Sequence, residues 1–95
     1  MSTLLNEALQ AVTTKLGDQD LPGTVKFTLN GEGSIVIDGA GARISDEETD
    51  VTLSADPEVF KDILEGNLGA TGAFMTGRLS IDGNMGIAMQ LASYF

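Results

Sequence analysis

The side chains best suited to chemistry are the carboxylates of Asp46, Glu47, Glu48 and Asp50, the densest acidic cluster in the sequence. Grouped oxygens of this kind can hold calcium. An EF-hand loop spaces its ligands at fixed positions and closes on a glutamate, and that spacing is absent here. The cluster therefore predicts a solvated hairpin turn. Asp50 and Asp82 are the candidates for acid/base work in an enzyme subunit or accessory domain. A lone carboxylate, however, needs unusual burial to act near neutral pH. The sequence has no histidine and no cysteine. That removes the usual catalytic triads, thiolate chemistry, disulfides and the zinc sites built on those residues.

Glycines invite a phosphate-binding reading, at Gly31, Gly33, Gly39, Gly41, Gly69, Gly72, Gly77, Gly83 and Gly86. Neither GxGxxG after a strand nor GxxxxGK[ST] occurs, and turn chemistry accounts for most of them. Gly69, Gly72, Gly77 and Gly86 either permit close backbone packing or let a lid move. The remaining chemistry is apolar: Phe27, Phe60, Phe74, Met75, Met85, Met89 and Phe95. Such residues commonly form core. Methionine and glycine together also make a deformable wall suited to ligands of varied shape.

The elements that position these residues follow from hydrophobic periodicity. Leu5, Ala8, Leu9, Val12 and Leu16 recur at helical spacing, with Ser2 or Thr3 as cap and Gly17 as stop. A loop with Pro22 follows, from Gly17 to Gly23. Val25, Phe27 and Leu29 alternate with polar residues, a half-buried strand over 24–30. The Gly31-Glu32-Gly33 turn makes 34–38 its antiparallel partner. Gly39-Ala40-Gly41 turns into a weaker strand near 42–45, and 50–54 alternates clearly.

Asp56-Pro57-Glu58 starts a helix. Asp56 is expected to accept from free backbone N–H groups, Pro57 has no N–H to leave unpaired, and Glu58 suits the positive end. Val59, Phe60, Ile63 and Leu64 form its buried face and Gly66 ends it. A short helical turn is expected within 67–75. A strand follows from Arg78 to Asp82, then a helix capped by Asn84, with Met85, Ala88, Met89 and Leu91 facing inward. The order predicts one mainly antiparallel sheet with helices on one side, an α+β fold in a single domain over 1–95.

Composition narrows the partners. The chain has 95 residues, 42% hydrophobic and 20% charged, with net charge −9. That acidity disfavours nucleic acid and anionic membranes. Its basic residues, Lys15, Lys26, Arg43, Lys61 and Arg78, are scattered. No secretory signal pattern and no apolar run of membrane-spanning length are present, so the reading is a cytoplasmic protein.

Two stretches resemble a known family. One is Asp50-Val51-Thr52-Leu53-Ser54 with Asp56 and the helix to Gly66. The other is Thr71-Gly72-Ala73-Phe74-Met75-Thr76-Gly77-Arg78-Leu79-Ser80-Ile81-Asp82-Gly83-Asn84-Met85. The latter is similar to the Gly-Lys/Arg-Leu-x-Ile-x-Gly-Asn-Met signature of the sterol carrier protein 2 (SCP-2 sterol-transfer) domain family. The resemblance implies a five-stranded sheet under helices, with an apolar tunnel between the layers. It implies non-catalytic binding of sterols, fatty acids, fatty acyl-CoA or phospholipids and their transfer between membranes or to enzymes, with no cofactor. Membrane or enzyme contact would be transient.

Carried over by position, the tunnel would be lined by Phe27, Ile35, Val51, Leu53, Phe60, Leu64, Leu68, Phe74, Met75, Leu79, Ile81, Met85 and Met89, and would admit ligand where 67–77 yields. The sequence stops at Phe95, short of the C-terminal extension of longer members, which would leave one tunnel mouth open. The acidic surface, with only Lys61, Arg43 and Arg78 to help a head group, ranks fatty acid ahead of acyl-CoA. The rival reading is an accessory module for a lipid-metabolising enzyme, with a vestigial cavity.

Overall fold

The computed structural model describes residues 3–16, 23–38 and 41–92. The element order is α1 (Thr3–Leu16), β1 (Val25–Leu29), β2 (Gly33–Asp38), β3 (Gly41–Ile44), β4 (Val51–Ala55), α2 (Pro57–Leu64), α3 (Ala70–Met75), β5 (Leu79–Gly83) and α4 (Met85–Ala92). The expected cap at Ser2, the stop at Gly17, the loop around Pro22, the Gly39-Ala40 turn and Phe95 lie outside the described residues.

The five strands form one sheet in the order β3-β2-β1-β4-β5. β1 pairs antiparallel with β2 but parallel with β4, placing Phe27 opposite both Ile35 and Leu53. β4 and β5 are antiparallel, with Leu53 opposite Ile81. The period of two sends Val25, Phe27, Leu29, Ile35, Ile37, Val51, Leu53, Ala55 and Leu79 to one face, where all are buried in the core. The helices cover that same face. α1 packs against β2 and β3, α3 against β5, and α4 against β4 and β5. Leu5, Ala8 and Val12 of α1 and Phe60 and Ile63 of α2 complete the core.

The acidic cluster is not a hairpin turn. β3 and β4 are not neighbours, so the chain must pass β2 and β1 to reach β4. The outer face holds it there: Asp46 meets Lys26 of β1 at 3.2 Å, and Glu47 meets Arg43 of β3 at 2.8 Å. Arg43 also reaches Asp38 at 2.9 Å. The Ser45 hydroxyl and then Arg43 hold the Glu47 carboxyl below the usual carboxylate range. Glu47 and Asp38 in turn raise the Arg43 guanidinium. On this face Val36 is fully buried, between Lys26 and Arg43 on the flanking strands. Period-two alternation therefore fails in β2, where Ile35, Val36 and Ile37 are all buried.

Asp50 ties the lower ends of three elements together. Its carboxylate accepts from Thr24 N at 3.0 Å, its N–H donates to Thr24 Oγ1 at 2.9 Å, and its carbonyl accepts from Asn84 N at 2.9 Å. Asn84 Oδ1 in turn accepts from Ile87 N at 3.2 Å, the expected cap of α4. Asp56 differs from expectation. Its carbonyl receives Val59 N and Phe60 N, while its carboxylate is taken by Asn30 Nδ2 at 3.2 Å rather than by the helix. The donor at the end of β1 is close enough to claim it.

Gly83 closes β5 against Val51 with φ +106. A Cβ there would collide with the Asp50 carbonyl and stand 3.0 Å from Val51 Cα. Both obstacles are backbone, so neither can rotate away. Gly83→Ala is expected to lower stability by about 2–3 kcal/mol, seen as a fall in the urea midpoint at constant m-value.

Candidate functional site

Between the sheet and helices α2, α3 and α4 lies a cavity of about 310 Å³. Its floor is Phe27, Leu53, Leu79 and Ile81, brought side by side by the β1–β4–β5 register. Phe60, Ile63 and Leu64 of α2 form one wall. Ala70, Thr71, Phe74 and Met75 of α3 and Met85, Ala88, Met89 and Leu91 of α4 form the others. The Phe27 and Phe60 rings meet edge to face, with centroids 5.7 Å apart, a favoured aromatic geometry. Among the described residues Thr71 is the one lining residue with a polar side chain, and none that lines the cavity is charged.

The cavity is open at one side. Met75 is 78% exposed, Met89 72%, Met85 43% and Phe74 42%, so these side chains form a rim instead of a roof. α4 thus differs from expectation: Ile87, Ala88 and Leu91 turn into the core, while Met85 and Met89 sit one stripe over, at the mouth. α3 is anchored by Ala73, which is fully buried. Its neighbours Phe74 and Met75 are left to the rim.

Most residues assigned to the tunnel by position meet here: Phe27, Leu53, Phe60, Leu64, Phe74, Met75, Leu79, Ile81, Met85 and Met89 all line the cavity. Ile35, Val51 and Leu68 do not. Ile35 and Val51 lie on the inner face but are wholly enclosed in the core, and Leu68 packs against the core from outside it. Ile63, Ala70, Thr71, Ala88 and Leu91 line the cavity without having been assigned to it. Ile63 stands one turn after Phe60 and Leu91 one turn after Ala88, so helical spacing could have found both. Ala70 and Thr71 carry no sequence signal of their own.

The carboxylates lie elsewhere. Asp50 is engaged with Thr24, and Asp82 is exposed on the outer face opposite Thr52. Neither lines the cavity. Among the described residues no cluster of side chains could hold a metal ion. A Cβ at Gly69 or Gly72 would meet nothing within 4 Å, so close packing is not what glycine serves at those positions. A second groove of about 270 Å³ runs between α1 and α2, with Glu7, Lys61 and Glu65 on it. Phe60 and Leu64 line both spaces.

An open five-stranded mixed sheet with its helices on one face, and an apolar cavity between the layers, is the architecture of a sterol-carrier-type α+β protein. The match to known proteins makes the assignment specific. The chain belongs to the SCP-2 sterol transfer family, whose model matches residues 5–95. It is 45% identical over 64 residues to the peroxisomal multifunctional enzyme A of Dictyostelium discoideum, covering 67% of this chain and 13% of that protein. It is 31% identical over 101 residues to hydroxysteroid dehydrogenase-like protein 2 of Xenopus tropicalis, covering 95% of this chain and 24% of that protein. The chain thus spans a quarter or less of the length of these relatives. Its fold superposes on the solution structure of Aedes aegypti sterol carrier protein-2 in complex with palmitate. The TM-score is 0.75 at 20% identity, covering 99% of this chain and 96% of that one. Among the described residues no helix is long and apolar enough to cross a membrane.

Proposed function

We propose that this chain binds a lipid with a long apolar chain, of the fatty-acid or sterol class, in the cavity between sheet and helices, and carries it without acting on it chemically. The observation that carries the reading is the lining, whose described residues offer apolar side chains and a single hydroxyl, at Thr71. Binding would come from area removed from water, at about 25 cal/mol per Å² of apolar surface. An ionised head group would remain at the mouth, since no cation among the described residues lines the interior to offset its desolvation. Acyl-CoA suits the site less well, because its phosphates would meet a chain of net charge −9. Family membership and the palmitate complex of the mosquito relative support the same reading. A cytoplasmic workplace belongs to the proposal. Since one relative is named as peroxisomal, imaging of a tagged protein decides between the two compartments.

The first test is native mass of the freshly purified protein, repeated after organic extraction. Extra mass equal to a fatty acid, sterol or phospholipid supports the carrier and names its class. The exposure of Phe74 and Met75 at the opening supports uptake at α3. Phe74→Asp and Met75→Asp are each expected to weaken palmitate binding about tenfold or more while shifting the melting temperature only a few degrees. Global unfolding of both variants would make the pair core residues and sink the uptake route.

A second reading has its own support. Both relatives are several times longer than this chain, which favours an accessory module that presents lipid to, or docks on, an enzyme. A clean apo mass, with no thermal shift on adding palmitate or cholesterol, selects that reading over the carrier.

A further inference from the structure

The methionines are segregated in a way that the lipid-site reading alone does not require. Every described methionine, Met75, Met85 and Met89, lines the cavity, and every one is exposed. None belongs to the buried core of the described residues. The three come from two different helices, α3 and α4, and converge on the one opening. The chain has no cysteine, so these thioethers are the groups around the cavity most open to oxidation by a peroxide. The other described lining residues are phenylalanine, leucine, isoleucine, alanine and threonine, which a peroxide leaves alone.

Resting on the reading of the cavity as a lipid site, we infer that Met75, Met85 and Met89 are an oxidation site that controls lipid retention. The oxidant is hydrogen peroxide. A sulfur lone pair attacks one peroxide oxygen, an S–O bond forms and the O–O bond breaks. Proton transfer to the departing oxygen releases water. Sulfur loses two electrons and the peroxide gains them. The product, methionine sulfoxide, turns a soft apolar side chain into a polar one. Each sulfoxide oxygen would then need a hydrogen-bond partner, and among the described lining residues the only side-chain candidate is the Thr71 hydroxyl. A lipid seated against the rim would cover polar oxygen without compensation, and its affinity falls. The core is spared because these side chains lie outside it, so the change reaches the ligand and not the fold.

The experiment compares palmitate binding to the full chain before and after mild hydrogen peroxide. Peptide mass mapping locates each added oxygen, and far-UV circular dichroism monitors the fold. Oxygen is expected on Met75 and Met89 first, with affinity reduced about tenfold or more and the dichroism unchanged. Met75→Leu/Met85→Leu/Met89→Leu is treated in parallel. Whatever its starting affinity, peroxide is expected to change it less than about twofold. Methionine sulfoxide reductases A and B with a dithiol are expected to restore the oxidised protein.

Unaltered affinity after oxidation of the rim overturns the inference and leaves the lipid site standing. So does oxygen found on Met1 alone, an equal peroxide effect on the leucine variant, loss of helical signal on oxidation, or failure of the reductases to restore binding. Failure of the untreated protein to take palmitate overturns the lipid site and this inference with it.

Discussion

Palmitate at a hundredfold excess over its Kd is expected to raise the melting temperature by roughly 10–20 °C. A ligand that binds only the folded state at that excess adds about 2.7 kcal/mol. In a domain of this size each kilocalorie moves the midpoint by roughly 4–8 °C. The cavity gives the expectation its physical basis. Were it a sealed and empty void, about 310 Å³ of apolar space would cost at most roughly 7 kcal/mol at about 24 cal/mol per Å³. That is on the order of the whole net stability of a small domain, about 5–15 kcal/mol. The open rim lets water in, but water against apolar walls finds few hydrogen-bond partners. On the carrier reading, lipid replaces those missing contacts. Scanning calorimetry at rising palmitate concentration measures the shift, and a midpoint that stays put while palmitate saturates would argue against the lipid site.

Phe60→Ala is expected to cost about 3–5 kcal/mol in the lipid-free protein, the usual penalty for truncating a buried phenylalanine. Phe60 is 3% exposed and meets Phe27 edge to face. It also lines both the main cavity and the groove between α1 and α2. Removing its ring would join the two spaces and enlarge an opening that is already costly to leave empty. Bulky or long ligands should then recover part of the loss. Urea midpoints taken with and without palmitate read both effects. A loss below about 1 kcal/mol would mean that the ring is not part of the packed interior.

The strand faces were legible because alternation is a local signal. Val25, Phe27 and Leu29, like Val51 and Leu53, declare their shared side within a few residues. Alternation says nothing about which strand lies next to which. The parallel β1–β4 pair, and the crossing of the outer face by 45–49, depend on contacts far apart in sequence. The same crossing hid the burial of Val36, whose position by period two points outward.

The cavity walls were legible where apolar residues alternate or recur on one helical stripe. The face of α4 was not, because Gln90 is its single polar side chain, too little beside Met85, Ile87, Ala88, Met89 and Leu91 to orient it. Two stripes were open to the core. The structure gives one to Ile87, Ala88 and Leu91 and the other to the cavity rim. Ile35 and Val51 were assigned to the lining because they share its face of the sheet. Which parts of that face the helices seal is a matter of helix placement, and no strand pattern carries it.

The parallel pairing at the centre of the sheet also bears on synthesis at the ribosome. A growing chain makes α1, β1, β2 and β3 first, and these supply three adjacent strands of the finished order. Until 51–55 emerges, β1 has a bonded neighbour on one side and a bare edge on the other. That edge belongs to Val25, Phe27 and Leu29, among the most deeply enclosed side chains of the mature protein. An unpaired apolar edge is a template for joining another chain. For β1 the hazard lasts while residues 30 to 55 are made, and a nascent chain stalled in that window would be prone to aggregate. Arrival of β4 closes that edge but bares its own, with Val51, Leu53 and Ala55, so the danger of self-association passes along the cavity floor until β5 pairs with β4.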